Sequence, residues 1–268
     1  MAERFASATE PADADIVVSV ASTADGVTRL LETCSPRSRL VHISSALVYG
    51  PQPSGTTAAL GEDSPLHPVP NHHEAVDLAE AERLLVRARS AGRAVCVLRP
   101  AATAGTTFFS LAAHGRIGVR GADPRYQFLH SHDFLAAVAW AVDGDVAGVY
   151  NVAPGDDLAI ADIDRRGRHH HRLRLPPDAA RRVTTRLAAW RVSHVGPQWL
   201  PYLSAPPRLD ASRAAADGFA CRHGSIDALE EGLAAVPPRA VPAAVPVAAG
   251  MAGAGVALWL WARHRRKS

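Results

Sequence analysis

The sequence predicts an α/β fold built on a parallel sheet. Two observations carry this expectation. Short β-branched runs recur at residues 15–21 (DIVVSVA), 40–44 (LVHIS), 94–98 (AVCVL) and 148–152 (GVYNV). Each is bounded by turn formers, as buried parallel strands are. Segments of helical periodicity separate them, the alternation expected of βαβ units. The 268 residues suit one large domain with an appendage. A hydrophobic content of 47% and a charged content of 21% exclude a wholly disordered or collagen-like chain. The net charge of +3 gives no case for a nucleic-acid partner.

The elements follow in order. Residues 1–13 carry acids without an apolar core, so they read as a disordered start and not as a secretory signal. After the first strand, residues 23–33 place Val27, Leu30 and Leu31 on one helical face. The second strand leads into a loop over 50–70, rich in Pro, Gly and Ser. Residues 73–91 form a strong helix, and the third strand is halted by Arg99-Pro100. Residues 108–114 read as a helix, 126–130 as a short strand, 133–142 as a helix and 177–193 as an amphipathic helix. Ser225 is a suitable N-cap for a last helix over 226–236.

Residues 241–262 are uncharged and end in ALWLWA, followed by the basic tail RHRRK. A helix of that length rises about 33 Å, enough to cross a bilayer core. The expectation is a cytoplasmic body with a transmembrane or membrane-surface helix. The basic tail belongs on the cytoplasmic side by the positive-inside rule, as does the body. A single crossing cannot satisfy both, so either the tail crosses or the helix lies on an anionic leaflet.

Several chemistries are excluded or demoted. Lys267 is the one lysine; every other basic side chain that stays charged is arginine. Cys34, Cys96 and Cys221 are widely spaced and form no zinc or redox motif. No G-x-S-x-G elbow supports a serine hydrolase. His169, His170 and His171 lie among arginines that repel a cation, so they read as a solvated basic loop. Gly115, Gly118 and Gly121 follow a helical stretch and precede Ala-Asp-Pro, so they read as a turn-rich connection instead of a phosphate loop.

An ordered set of segments resembles the NAD-dependent epimerase/dehydratase family, the extended short-chain dehydrogenases/reductases. The segments are VHISSALVYGP (41–51), EDSPLHP (62–68), LAEAERLL (78–85), VCVLRPAATAG (95–105), RYQFLHSHDFLAAVAWAV (125–142) and GVYNVAPGD (148–156). The resemblance spans roughly residues 14–236. It implies a partial Rossmann-like parallel sheet, a small C-terminal substrate-type part and, beyond it, the hydrophobic helix. It implies NAD or NADP as cofactor and a nucleotide-sugar-like small molecule as partner.

The family's chemistry uses a glycine-rich pyrophosphate turn, a serine, and a tyrosine whose pKa is lowered by a lysine four residues on. Ser45 matches the serine. The tyrosines Tyr49, Tyr126, Tyr150 and Tyr202 are followed four residues later by Pro53, His130, Pro154 and Pro206. Aligned on LAEAERLL, the tyrosine and lysine positions hold Glu74 and Leu78. Glu74 is therefore the substitute acid/base candidate. Ala21, Ser22, Ser44, Arg99 and Pro100 are the cofactor-side candidates, and Arg125 and His130 the substrate-side ones. His130, His132 and Asp133 match a family segment whose role is expected to be structural hydrogen bonding.

The chain resembles the family from its fourth strand onward, with about 60 residues of preceding βα units missing. That leaves an exposed sheet edge suited to self-association. Three functional expectations follow: a catalytically impaired family member, an active epimerase or reductase with an unusual acid/base, and a membrane-tethered interaction protein.

Overall fold

The computed structural model describes residues 14–53, 56, 58–167, 172–189 and 196–235. The expectations for residues 1–13, the 169–171 histidine run and the 241–268 tail lie outside this set. Among the described residues no helix is long and apolar enough to cross a membrane.

The chain runs β1 (Ile16–Ser19), α1 (Ala24–Thr33), β2 (Arg39–Ile43), a 3-10 turn (Ala46–Tyr49), α2 (His73–Ser90) and β3 (Val95–Pro100). It continues through β4 (Ala102–Thr103), α3 (Thr107–His114), β5 (Ile117–Val119), β6 (Arg125–Tyr126), β7 (Phe128–Leu129), α4 (Ser131–Asp143) and β8 (Gly148–Val152). The rest is β9 (Leu158–Ala159), α5 (Ile160–Arg166), β10 (Leu173–Leu175), α6 (Pro177–Ala189), a second 3-10 turn (Pro197–Trp199), α7 (Leu200–Ser204), α8 (Ser212–Ala216) and α9 (Ser225–Ala235).

The four main strands form one sheet in the order β1-β2-β3-β8, with every pair parallel. The expected α/β class is therefore the observed one. Strand alternation divides the core. Leu40, Val95 and Val97 pack with Val27, Ala81 and Leu85 beneath α1 and α2. Val41, Ile43, Cys96 and Leu98 point the other way, toward Ala137 and Ala141 of α4. Helices thus cover both faces of β2 and β3, which explains why both strands are buried along most of their length and apolar at all but Arg39, His42 and Arg99. β1 differs: Ile16 and Val18 remain 38% and 41% exposed, and Val20 just beyond it 52%.

Local chemistry fixes the helix ends. The Thr23 hydroxyl accepts from the Gly26 amide at 3.1 Å to start α1. Arg39, on β2, donates to the carbonyls of Val142 and Gly144 and so satisfies the C-terminal end of α4. α9 begins differently from the expectation. Ser225 does not cap it: its hydroxyl donates to the Asp156 carbonyl at 3.0 Å and accepts from the Phe128 amide at 3.2 Å. Tertiary partners claim that side chain before the helix can.

A second cluster holds the C-terminal part. Phe108, Phe109, Tyr126, Phe128, Trp199 and Tyr202 gather α3, α7, α9 and the short strands. Gly118 lies within β5, which pairs in parallel with β10, so the expected turn-rich connection contains a strand. Gly121 supplies the turn after it, with φ of +84°.

Candidate functional site

In open α/β sheets ligands bind outside the carboxyl ends of the strands. Here those ends present Ala21 and Ser22 after β1, Ser44 and Ser45 after β2, and Pro100 at the end of β3. Ser22 is exposed; Ala21 and Ser45 are half-buried; Ser44 and Pro100 are buried. Ser45 starts the 3-10 turn, its Oγ accepting from the Leu47 amide at 3.2 Å.

Two cofactor-side candidates meet in an interior network. Arg99 donates through Nε and Nη2 to Glu82 Oε2 at 2.9 and 2.6 Å. Ser44 donates to the other oxygen, Oε1. Arg99 Nη1 reaches the Tyr49 hydroxyl at 2.6 Å and the Glu62 carbonyl at 3.0 Å. Tyr49 in turn donates to Asn151 Oδ1 at 2.8 Å. Burial alone would pull the guanidinium pKa down, but Glu82 and Tyr49 outweigh it and hold it up. The arrangement binds β2, α2, β3 and β8 together, and spends the Ser44 and Arg99 side chains on Glu82. Glu82 is the member that sequence reasoning missed. Its place in LAEAERLL on a buried helical face was the available signal.

At the start of α2, burial raises the Glu74 carboxyl above its ordinary range. Two residues earlier stands His72, also absent from the sequence candidates. Its Nδ1 accepts from the Ala75 amide at 3.3 Å, capping the helix. Its ring meets Trp199 edge-on at 4.2 Å, and burial holds it neutral by lowering its pKa. His72 also touches Tyr202 at 5.3 Å, whose hydroxyl donates to the Leu47 carbonyl at 2.9 Å. The Ser45 turn and the Glu74 helix end are thus joined through Tyr202 and His72.

The tyrosines are all committed. Tyr126 donates to the Leu203 carbonyl at 2.6 Å, and Tyr150 to Asp217 Oδ2 at 2.7 Å. Burial raises all four hydroxyl pKa values, to about 12 for Tyr150 and Tyr202.

The substrate-side candidates fall apart from one another in their contacts. Arg125 is bound to Asp157, which also holds Arg208 at 2.8 Å. His130 starts α4 beside His132 and His223. A small cleft lined by Ile117, Val119, Tyr126, Arg172, Arg174 and Leu203 among others includes neither Arg125 nor His130. Arg172 is anchored there by Asp164 at 3.0 Å.

This parallel sheet, wound with helices on both faces, defines an α/β protein of the Rossmann-like class. A family model described as the NAD dependent epimerase/dehydratase family matches residues 6–153, and the chain belongs to that family. Similar solved structures include a dTDP-glucose 4,6-dehydratase from Bacillus anthracis in complex with NAD. It is 14% identical with a TM-score of 0.58, covering 83% of this chain and 72% of that one. A UDP-glucuronic acid 4-epimerase from Bacillus cereus, in complex with UDP-glucuronic acid and NAD, is 17% identical with a TM-score of 0.57. It covers 79% and 67%. WbmG from Bordetella bronchiseptica, in complex with NAD and UDP, is 19% identical with a TM-score of 0.54 and covers 82% and 71%. No curated protein matches.

The dinucleotide implied by the family fits these residues only in part. Ser22 and Ser45 present accessible hydroxyls suited to ribose or a reacting oxygen. The pyrophosphate does not fit. Among the described residues no glycine-rich turn joins a strand to a helix, and the β1–α1 turn reads Val20-Ala21-Ser22-Thr23.

Proposed function

We propose that this chain is an NAD-dependent epimerase/dehydratase-like protein whose family-type proton relay is impaired, and whose natural small-molecule ligand is nucleotide-sugar-like. The observation that carries the reading is the engagement of all four tyrosine hydroxyls in fixed hydrogen bonds with raised pKa values. A tyrosine works as acid/base at neutral pH when its pKa is lowered, and the described residues hold no lysine to lower one. The ligand class rests on the solved neighbours, which include complexes with UDP-glucuronic acid.

The test uses the full chain. Calorimetry with NAD, NADH, NADP and NADPH reads binding, and nicotinamide absorbance with UDP-glucuronic acid or dTDP-glucose reads hydride transfer. The expected result is no turnover, with or without Ser45→Ala. Turnover at an ordinary enzymatic rate that Ser45→Ala abolishes would overturn the reading.

A second reading, an active epimerase or reductase using NAD or NADP, is favoured by Glu74. Its carboxyl sits in the first turn of α2 with its pKa raised by burial, as a general acid/base requires. Under that reading Glu74→Gln removes turnover and leaves dinucleotide binding intact.

Two further proposals concern association. Among the described residues β1 pairs on one side only, and that edge with the exposed Ile16 and Val18 favours self-association, which sedimentation of the full chain measures. The 241–262 segment favours a membrane-tethered interaction protein with a cytoplasmic body. Fractionation with and without residues 241–268 tests it.

A further inference from the structure

Three histidines converge at the N-terminal end of α4, away from the buried Arg99–Glu82 network. One ligand atom from each of His130, His132 and His223 lies within 4.8 Å of the other two. They come from separate parts of the chain: His130 and His132 open α4, and His223 lies in the segment leading to α9. The His130 and His223 rings stack at 4.0 Å, and His132 meets His130 at 5.1 Å.

Two carboxylates stand behind the rings. Asp133 is buried, and its Oδ2 accepts from the amides of His223 and Arg222 at 2.8 and 3.1 Å. That oxygen is 3.2 Å from His223 Nδ1. Glu231, on α9, is held by the Ser131 amide at 3.0 Å and by the Ser131 hydroxyl. Its Oε2 lies 3.6 Å from His130 Nε2. An imidazole that ligates a metal through one nitrogen commonly gives its other N–H to a carboxylate, and Asp133 lies close enough to His223 Nδ1 to take that part once the ring turns, although the two make no hydrogen bond here.

We propose that His130, His132 and His223 form a binding site for a divalent transition metal of the zinc type, with Glu231 as a fourth donor or as the holder of a metal-bound water. Zinc takes imidazole nitrogens at about 2.0–2.1 Å in a tetrahedron, which sets donors roughly 3.4 Å apart. Because a metal lies in the plane of each imidazole that ligates it, the stacked His130 and His223 rings must turn out of their parallel arrangement to share one ion, while His132 is exposed and therefore adjustable. The Asp133 and Glu231 carboxylates beside the rings favour a cation there. One local cost exists. His130 Nδ1 caps α4 by accepting from the His132 amide at 3.2 Å, so ligation through Nε2 releases that exposed amide to water. The imidazole set with a carboxylate suits zinc, copper or nickel better than calcium or magnesium, which prefer oxygen ligands. Bound metal would cross-link α4 to α9, and it requires nothing of the dinucleotide or sugar chemistry above.

The experiment titrates zinc alone into the full chain, purified without a histidine tag, and follows it by calorimetry and by metal content after dialysis. The expected result is one zinc per chain, weakened at least tenfold by His132→Ala and by His223→Gln. Replacing His169, His170 and His171 together with alanine leaves that binding in place. Loss of zinc only in the triple variant would overturn the proposal, as would unchanged binding in both single variants. His132 is exposed, so its alanine variant keeps the fold even if the His223 variant does not. Cobalt provides an independent readout: the intense visible bands of a tetrahedral site appear in the parent chain and vanish in His132→Ala. Bands that survive that substitution would count against the site.

Discussion

Glu82 sits where a charge survives only because it is paired. Its carboxylate meets Arg99 at 2.6 Å, with both side chains almost wholly buried. Replacing such a pair by apolar groups is often tolerated, but removing one partner leaves the other charge stranded. Glu82→Gln is therefore expected to cost about 3–5 kcal/mol in urea unfolding. A cost below about 1 kcal/mol would mean that water reaches the guanidinium. His42 gives a pH signature of the opposite chemistry. Fully buried on β2, it has its pKa lowered from 6.5 to about 4 by desolvation. Between those values the unfolded chain binds a proton that the folded chain refuses. Stability from this residue is complete above pH 6.5 and is lost as pH falls toward 4. At about 1.4 kcal/mol per pKa unit the effect is on the order of 3 kcal/mol. His42→Asn should flatten that part of the stability–pH curve, measured by denaturant midpoints across the window. The sequence made Arg99 and Ser44 visible as strand-end residues, but not as partners of Glu82. That pairing joins residues 38 and 17 positions apart, and no local pattern encodes it.

At the scale of elements, helix–helix contact sets tighter limits than propensity. Gly232 lies inside α9, where alanine would ordinarily gain about 1 kcal/mol. A Cβ there would stand 2.2 Å from the buried Phe109 ring of α3. Overpacking costs roughly 1–3 kcal/mol, so Gly232→Ala is expected to destabilise on balance, and a raised denaturation midpoint would refute that account. The long periodic helices and the four main strands were readable because each satisfies its own period over many residues. GVYNV fell on β8 at both ends. The short strand read over 126–130 is divided between β6 and β7, whereas the two-residue strands β4 and β9 carry no period at all and only their pairing partners create them. The β5–β10 pair was hidden for the same reason, since Gly118 weakens the strand signal locally. His72 escaped notice because its burial comes from Trp199 and Tyr202, more than a hundred residues later.

Over the whole molecule, the class and layer order were legible from the alternation of strands and helices, and the family from the order of its segments. The candidate site was only half legible. Ser45 and Glu74 belong to neighbouring structural units, but the residue that links them, Tyr202, comes from the far end of the described chain. That closure governs assembly. The Tyr202 hydroxyl reaches the Leu47 carbonyl across 155 positions, and the Arg208 amide reaches Gln52 across 156. β8 likewise docks on β3 only after the intervening segment has been made. Contacts of such sequence separation are late to form, because loop entropy is lost before they give anything back. During synthesis the sheet therefore gathers from its N-terminal strands, while the Ser45 turn lacks its tyrosine clasp. The contact that joins the Ser45 turn to the start of α2 forms only when residues beyond 200 leave the ribosome and fold back, so a nascent or C-terminally clipped chain holds the sheet before it holds that junction.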